Sequence, residues 1–182
     1  PGNVNGPRLR GQIDIIKAVH PVIITLGNQA LRDRHWNKIH KEVGFEIHNV
    51  PGGFTLGKLI EHNIGAHGEA LQTIGTSATQ ERVLEDMLGK IEGIWKATEF
   101  EILFYKEKKD VFIIGGVDEI IADLDDSLVT ISTILGSRYV SGIRNQVETW
   151  RKQLVLFQET LDEWLLCQKN WMYLEAIFSA PD

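Results

Sequence analysis

The chain has 182 residues, 43% hydrophobic and 24% charged, a balance that suits a folded protein and excludes a disordered one. A formal net charge of −6, with no face rich in Lys and Arg, argues against a nucleic-acid backbone as partner. No apolar run approaches the roughly 18 residues that a membrane span needs, and the single Cys167 excludes an internal disulfide and suits a reducing cytosol.

Residues 1–7, Pro-Gly-Asn-Val-Asn-Gly-Pro, carry neither an initiator methionine nor a signal-peptide pattern. They read as disordered or vector-derived residues ahead of an excised piece of a longer polypeptide. A helix is expected from Leu9 to Val19, broken by Pro21, which then serves as the first-turn proline of a short helix over 21–27. Ala30 to Val43 reads as a helix with Leu31, His35, Trp36, Ile39 and Val43 on one face, ended by Gly44. Pro51-Gly52-Gly53 forces a loop, after which Thr55 caps a short helix ending near Asn63. The helical pattern resumes at Glu69 and is firm from Ser77, where Ser77-Ala78-Thr79-Gln80 fits a capping box. Val83, Met87, Ile91, Ile94 and Trp95 form its apolar stripe, and Gly75 weakens the case for one unbroken helix over 69–98.

At Phe100 the texture changes. Phe100 to Tyr105 and Val111 to Ile114 are β-branched and aromatic, and a charged Lys106-Glu107-Lys108-Lys109-Asp110 joins them. This reads as a β-hairpin with a charged tip, ended by Gly115-Gly116. Asp118 and Glu119 then favour a helix N-terminus, and Ile120, Leu124, Leu128, Ile131 and Leu135 carry that helix to Gly136.

The last forty residues hold the longest pattern. Ile143, Val147, Trp150, Leu154, Phe157, Leu161, Trp164, Gln168, Trp171 and Phe178 recur in steps of four and three, with Glu175 the one gap. That period lays a seam along a single helix over 139–178, about 60 Å long at about 1.5 Å per residue. The helices over 77–98 and 117–135 have matching stripes and can cover it within the same chain. Gln168 on such a seam either fixes register against a partner helix or faces a polar backbone or loop. Trp171→Ala is expected to cost about 3–5 kcal/mol if the ring is buried. The fold class is therefore mainly α: an elongated antiparallel helical bundle with a long C-terminal helix and one inserted β-hairpin at about 100–114.

Motifs that could carry chemistry are few. Gly52 to Lys58 matches the phosphate-binding pattern G-x-x-x-x-G-K, but Leu59 stands where a magnesium-binding hydroxyl is required, and the preceding 45–50 offers at most one short strand. A turn leading into a helix that packs Leu56, Leu59 and Ile60 fits better. His35 and His40 are five apart, as are His62 and His67, while His48 stands alone; zinc on a helix wants three or four. His35 reads as a hydrogen-bonded partner packed beside Trp36. Asp118/Glu119 and Asp123/Asp125/Asp126 read as a solvated face, and Cys167 as an inert packed thiol. No catalytic, cofactor-binding or metal-binding residue is assigned.

Several landmarks, taken in order, resemble one family. They are Leu31-Arg-Asp-Arg-His35-Trp36-Asn-Lys-Ile39 and Phe54-Thr55-Leu56; then Ala78 with Glu81, Leu84-Glu85 and Trp95; then Gly116-Val-Asp-Glu-Ile120 and Ser137-Arg-Tyr139-Val140. Trp150, Leu154, Trp164, Gln168 and the closing Trp171-Met-Tyr-Leu-Glu-Ala-Ile-Phe178-Ser-Ala-Pro-Asp182 complete the set. The ordered set resembles a dynein heavy chain, in the linker ahead of the AAA+ motor ring, over nearly all of residues 8–182, and looks closer to axonemal than to cytoplasmic members. The resemblance implies the central part of a helical rod that transmits ATP-driven changes in the ring to the tail for microtubule-based movement. ATP and Mg would be held by the parent ring, so no cofactor is expected in this fragment and no catalysis either. The implied partners are the AAA+ ring of the same heavy chain, and other dynein chains and microtubules through the parent protein. The implied location is the cytoskeleton of the cytoplasm or of the ciliary axoneme. A nucleotide hydrolase using Gly52 to Lys58 and a generic spectrin-like adaptor are the alternatives; the hairpin counts against the latter. Breaks near Pro51-Gly52-Gly53, Gly65–Gly68 and Gly136 are the hinge candidates.

Overall fold

A computed structural model describes residues 5–48 and 53–178, which divide into two compact units between Val83 and Leu84. Residues 1–4 of the opening segment, the Pro51-Gly52 part of the expected loop and hinge, and residues 179–182 of the closing motif lie outside the described residues.

The first unit contains α1 (Asn5–Leu26), α2 (Asp33–Val43), α3 (Leu56–Glu61), a 3₁₀ turn (Ile64–His67) and the first part of α4 (Gly68–Ala97). Pro21 lies inside α1, where a break was expected. A proline removes one amide donor and crowds the preceding turn. Val19 and Val22, on either side of it, are nevertheless buried, and Thr25 Oγ1 donates to the Pro21 carbonyl at 3.0 Å. Burying that face outweighs the local cost. α2 starts at Asp33, later than expected, because the Asn28 side chain first turns the chain by accepting from the Ala30 N–H at 2.9 Å. It ends at Gly44, whose φ of 82° is a left-handed value that suits glycine. Thr55 caps α3 as expected, accepting from the Lys58 N–H at 3.4 Å. The unit closes on Val19, Val22, Ile39, Ile47, Leu59, Ile64 and Leu71.

α4 runs unbroken through Gly75, so Ser77 is a helix-interior residue and not a cap. Glycine is required at 75 for space: a Cβ there would stand 2.7 Å from Thr25 Cγ2.

The second unit contains the rest of α4, the strands β1 (Glu101–Phe104) and β2 (Phe112–Gly115), α5 (Val117–Gly136), a 3₁₀ turn (Val140–Gly142) and α6 (Arg144–Phe178). The strands pair antiparallel, Ile102 opposite Ile114 and Phe104 opposite Phe112, as the expected hairpin. α6 begins at Arg144 and not at 139, because the 3₁₀ turn intervenes.

On α4 the buried line is Leu84, Leu88 and Ile91, with Met87 and Trp95 packed beside it, whereas Val83 and Ile94 are exposed. The expected stripe was thus partly out of phase, because apolar residues occupy two neighbouring helical phases and spacing alone does not choose between them. α5 buries Ile120, Leu124, Ser127, Ile131 and Ile134, and the Trp95 indole N–H donates to Ser127 Oγ at 3.1 Å. These faces meet Val140, Ile143, Val147 and Leu154, with Trp150 and Phe157 packed against them, so the helices of this chain cover the first part of the seam.

Gly75→Ala is expected to lower the melting temperature. Overpacking costs about 1–3 kcal/mol, against a helix-propensity gain of roughly 1 kcal/mol. Adding Thr25→Ala should restore it in a double-mutant cycle. Gly89→Ala, whose added Cβ meets nothing within 4 Å, is expected to stabilise by up to about 1 kcal/mol. Thermal melts by circular dichroism check all three.

Candidate functional site

Beyond Leu161 the α6 seam changes character. In the hairpin, the Tyr105 N–H donates to the Val111 carbonyl at 3.0 Å, which makes 105/111 a hydrogen-bonded pair. By the alternation of antiparallel ladders, the backbone groups of Ile102, Phe104, Phe112 and Ile114 therefore point away from the partner strand. Gln168 meets Ile114 on that outer edge. Its Oε1 accepts from the Ile114 N–H at 2.8 Å, and its Nε2 donates to the Ile114 carbonyl at 2.9 Å. One side-chain amide thus does what a third strand would do, satisfying two half-buried backbone groups. Of the two roles open to Gln168, the one observed is pairing with a polar backbone.

One turn further, buried Tyr105 stands edge-on to Trp171 with ring centroids 5.0 Å apart, and its hydroxyl donates to the Met172 carbonyl at 3.4 Å. One heptad beyond Gln168 comes Glu175, the supposed gap. Its carboxylate accepts from Lys106 Nζ at 3.0 Å and also from Lys108 Nζ. The Lys106 amine is pushed above its ordinary value by its hydrogen bonds, that to Tyr105 first and that to Glu175 second. The hairpin and the distal half of α6 are thus joined at a backbone clamp, an aromatic contact and an ion-pair clamp, in that order along the helix. Glu175 was the residue that spacing missed. The signal was available in two basic residues at a hairpin tip and one acid on a seam, but only the fold makes them neighbours.

Two seam residues depart from expectation. Trp164 is 56% exposed and Trp171 is 39% exposed, so the distal tryptophans are not a buried core. α5 ends its cover there, and among the described residues of the second unit the hairpin is the element that continues along α6. Cys167 is likewise exposed and not packed.

The other candidates are brought together only in part. Gly52 lies outside the described residues; Gly53 has φ 74°, Lys58 lies over the Phe54 ring at 5.8 Å, and Leu59 is buried in the core of the first unit. The backbone N–H of Lys58 is committed to Thr55, so this stretch forms a capped six-residue helix. His35 is buried as expected, and its Nδ1 accepts from the Arg32 N–H at 3.1 Å, while its Nε2 lies 3.5 Å from Glu81. Arg34 Nε also reaches buried Glu81, at 2.6 Å. This packed charge cluster joins α2 to α4 inside the first unit, and the residue types alone did not predict it. Asp118, Glu119, Asp125 and Asp126 are exposed, in keeping with a solvated face. Among the described residues no group of three His, Cys, Asp or Glu is arranged to hold a metal ion, and no helix is long and apolar enough to cross a membrane.

Comparison with known proteins places these features in a wider set. The family model "Dynein heavy chain, N-terminal region 2" matches residues 6–182. The chain is 43% identical over its full 182 residues to human dynein axonemal heavy chain 6, of which it covers 4%. It is 35% identical over 173 residues, 95% of its length, to human dynein axonemal heavy chain 2, and 33% identical over 174 residues, 96% of its length, to rat dynein axonemal heavy chain 1; it covers 4% of each. The chain therefore spans a small fraction of the curated relatives it matches.

Gln168→Ala is expected to leave the Ile114 N–H and carbonyl unpaired, at a cost of about 1–3 kcal/mol, and to speed amide exchange at Ile114 without melting α5. Trp171→Ala is expected to cost less than the about 3–5 kcal/mol of a fully buried ring, because the ring is 39% exposed. It is expected to cost more than the about 0.5–1.5 kcal/mol of the edge contact, which adds to the area still buried. Exchange measured by NMR and thermal melts test the pair.

Proposed function

The chain belongs to the dynein heavy chain family, and from that premise we propose that it is a non-catalytic mechanical element, the central part of the linker ahead of the motor ring. The observation that carries this reading is α6, 35 residues from Arg144 to Phe178 without a break. Helices cover it proximally, and the hairpin is clamped to it distally. Stiffness of this kind suits an element that passes displacement along its length; nothing in the clamp offers a nucleophile or an acid–base pair beside a substrate pocket. In the parent heavy chain, the AAA+ ring would bind and turn over ATP with Mg, and this segment would carry the resulting change toward the tail. The partners are then the ring of the same chain, and other dynein chains and microtubules through the whole motor. The axonemal names of the relatives given above support a place in the ciliary axoneme.

Nucleotide hydrolysis at Gly52 to Lys58 is not favoured. A leucine that cannot bind Mg follows Lys58, and that leucine is packed in the core.

Two measurements test the proposal. Millimolar Mg-ATP is expected to leave the melting temperature of the chain unchanged; a rise that Lys58→Ala abolishes would instead support the hydrolase. In the whole heavy chain, Leu154→Ala removes a buried α6 side chain at about 2–5 kcal/mol. It is expected to slow microtubule gliding more than it slows ATP turnover. An equal fall in both would sink the transmission role.

A further inference from the structure

The hairpin has two outer edges, and among the described residues a side chain meets one of them, at Ile114. On the β2 edge, Gln168 pairs with both backbone groups of Ile114. On the β1 edge, the N–H and carbonyl groups of Ile102 and Phe104 point outward by the same alternation, and no described residue pairs with them. The side chains of this edge are apolar and open: Ile102 is 57% and Phe104 61% exposed, with the Phe112 ring tilted against Phe104 at a centroid distance of 5.0 Å. Exposed edges are ordinarily guarded by proline, lysine or a bulge. Between Phe100 and Tyr105 this one has none of them.

We propose that the β1 edge is a self-docking surface, which pairs antiparallel with β1 of a second copy of this chain. The occupant follows from self-complementarity. A two-fold axis through Leu103 sets Ile102 opposite Phe104 of the second copy and Phe104 opposite its Ile102. Both pairs then present outward-facing groups to one another, which gives four backbone hydrogen bonds. Each pair is an aromatic residue facing a β-branched one, a favoured cross-strand combination. Glu101 meets the Tyr105 position, so no like charges oppose within the strand. The product is a four-stranded sheet in the order β2, β1, β1 and β2, with a Gln168 paired to Ile114 on each outer edge. Strands of four residues bury little area, so the association is weak and concentration-dependent.

Sedimentation equilibrium of the chain, from low micromolar to several hundred micromolar, is expected to show monomers passing to dimers. Over the same range, amide exchange at Ile102 and Phe104 should slow at least several-fold, with little change at Leu103, whose N–H is already paired within the hairpin. Ile102→Lys and Phe104→Lys, both at solvent-facing positions that leave the core intact, are expected to stay monomeric with unchanged circular dichroism. A monomer at every concentration overturns the proposal. So does a dimer that survives both lysine variants, or one that leaves exchange at Ile102 and Phe104 unaltered, since association would then lie elsewhere, for instance on the exposed Leu166, Tyr173 and Ile177 of α6.

Discussion

The second unit is governed by a mismatch of lengths. α6 has 35 residues and α5 has 20, so the first reaches about 52 Å and the second about 30 Å at 1.5 Å per residue. A helix cannot expose a long apolar seam without a partner, and past Leu161 α5 has nothing left to offer. The hairpin fills the difference. It immediately precedes α5 in the chain, so the antiparallel course that brings Ile120 toward the far end of the helical core carries β2 and β1 onward along α6. Ile114 reaches Gln168, Tyr105 reaches Trp171, and the tip lysines reach Glu175.

The change of chemistry along the seam follows from what covers it. Helix against helix buries side chains, and there the seam is Ile143, Val147, Leu154 and Leu161. A hairpin edge presents backbone, which must be paired, and there the seam turns to Gln168 and Glu175. The ion pairs add little stability, because Lys106 and Lys108 remain largely in water and solvent screens them. Their contribution is direction: the Glu175 side chain is almost enclosed, and the hairpin tip brings two positive charges to it. Polar groups at seam positions commonly trade stability for a defined register in this way.

How much of this was legible in the sequence depends on how local its cause is. The hairpin, the Thr55 cap, the Gly44 stop and the period of α6 each follow from a few adjacent residues, and each stands where its pattern put it. The phase of α4 did not: Val83 and Ile94 are as apolar as Leu84 and Ile91, and only the partner decides which pair is buried. Pro21 reads locally as a break, yet α1 passes through it because Val19 and Val22 are anchored on both sides. Gly75 looks like a weakness in a helix until Thr25 is found in the space its side chain would have taken. Gln168 and Glu175 were visible as polar interruptions of a seam. Their partners, more than fifty residues away, were not, since no periodicity encodes which strand edge arrives.

The two clamps together admit one register. If β2 slid along α6 by a single residue, the backbone groups beside Gln168 would belong to a pair that bonds inward to β1, and both ends of the amide would lose their partners. A slide of two residues would restore outward-facing groups, but it would move the hairpin tip by about 6.8 Å at 3.4 Å per residue. That exceeds one turn of α6, about 5.4 Å, and takes Lys106 and Lys108 away from Glu175 and Tyr105 from Trp171. Odd shifts are excluded by the backbone clamp and even shifts by the ionic and aromatic contacts. An element proposed to carry displacement needs such a lock more than it needs extra stability. A seam of leucines would bury as much surface while letting the hairpin creep along the helix under load.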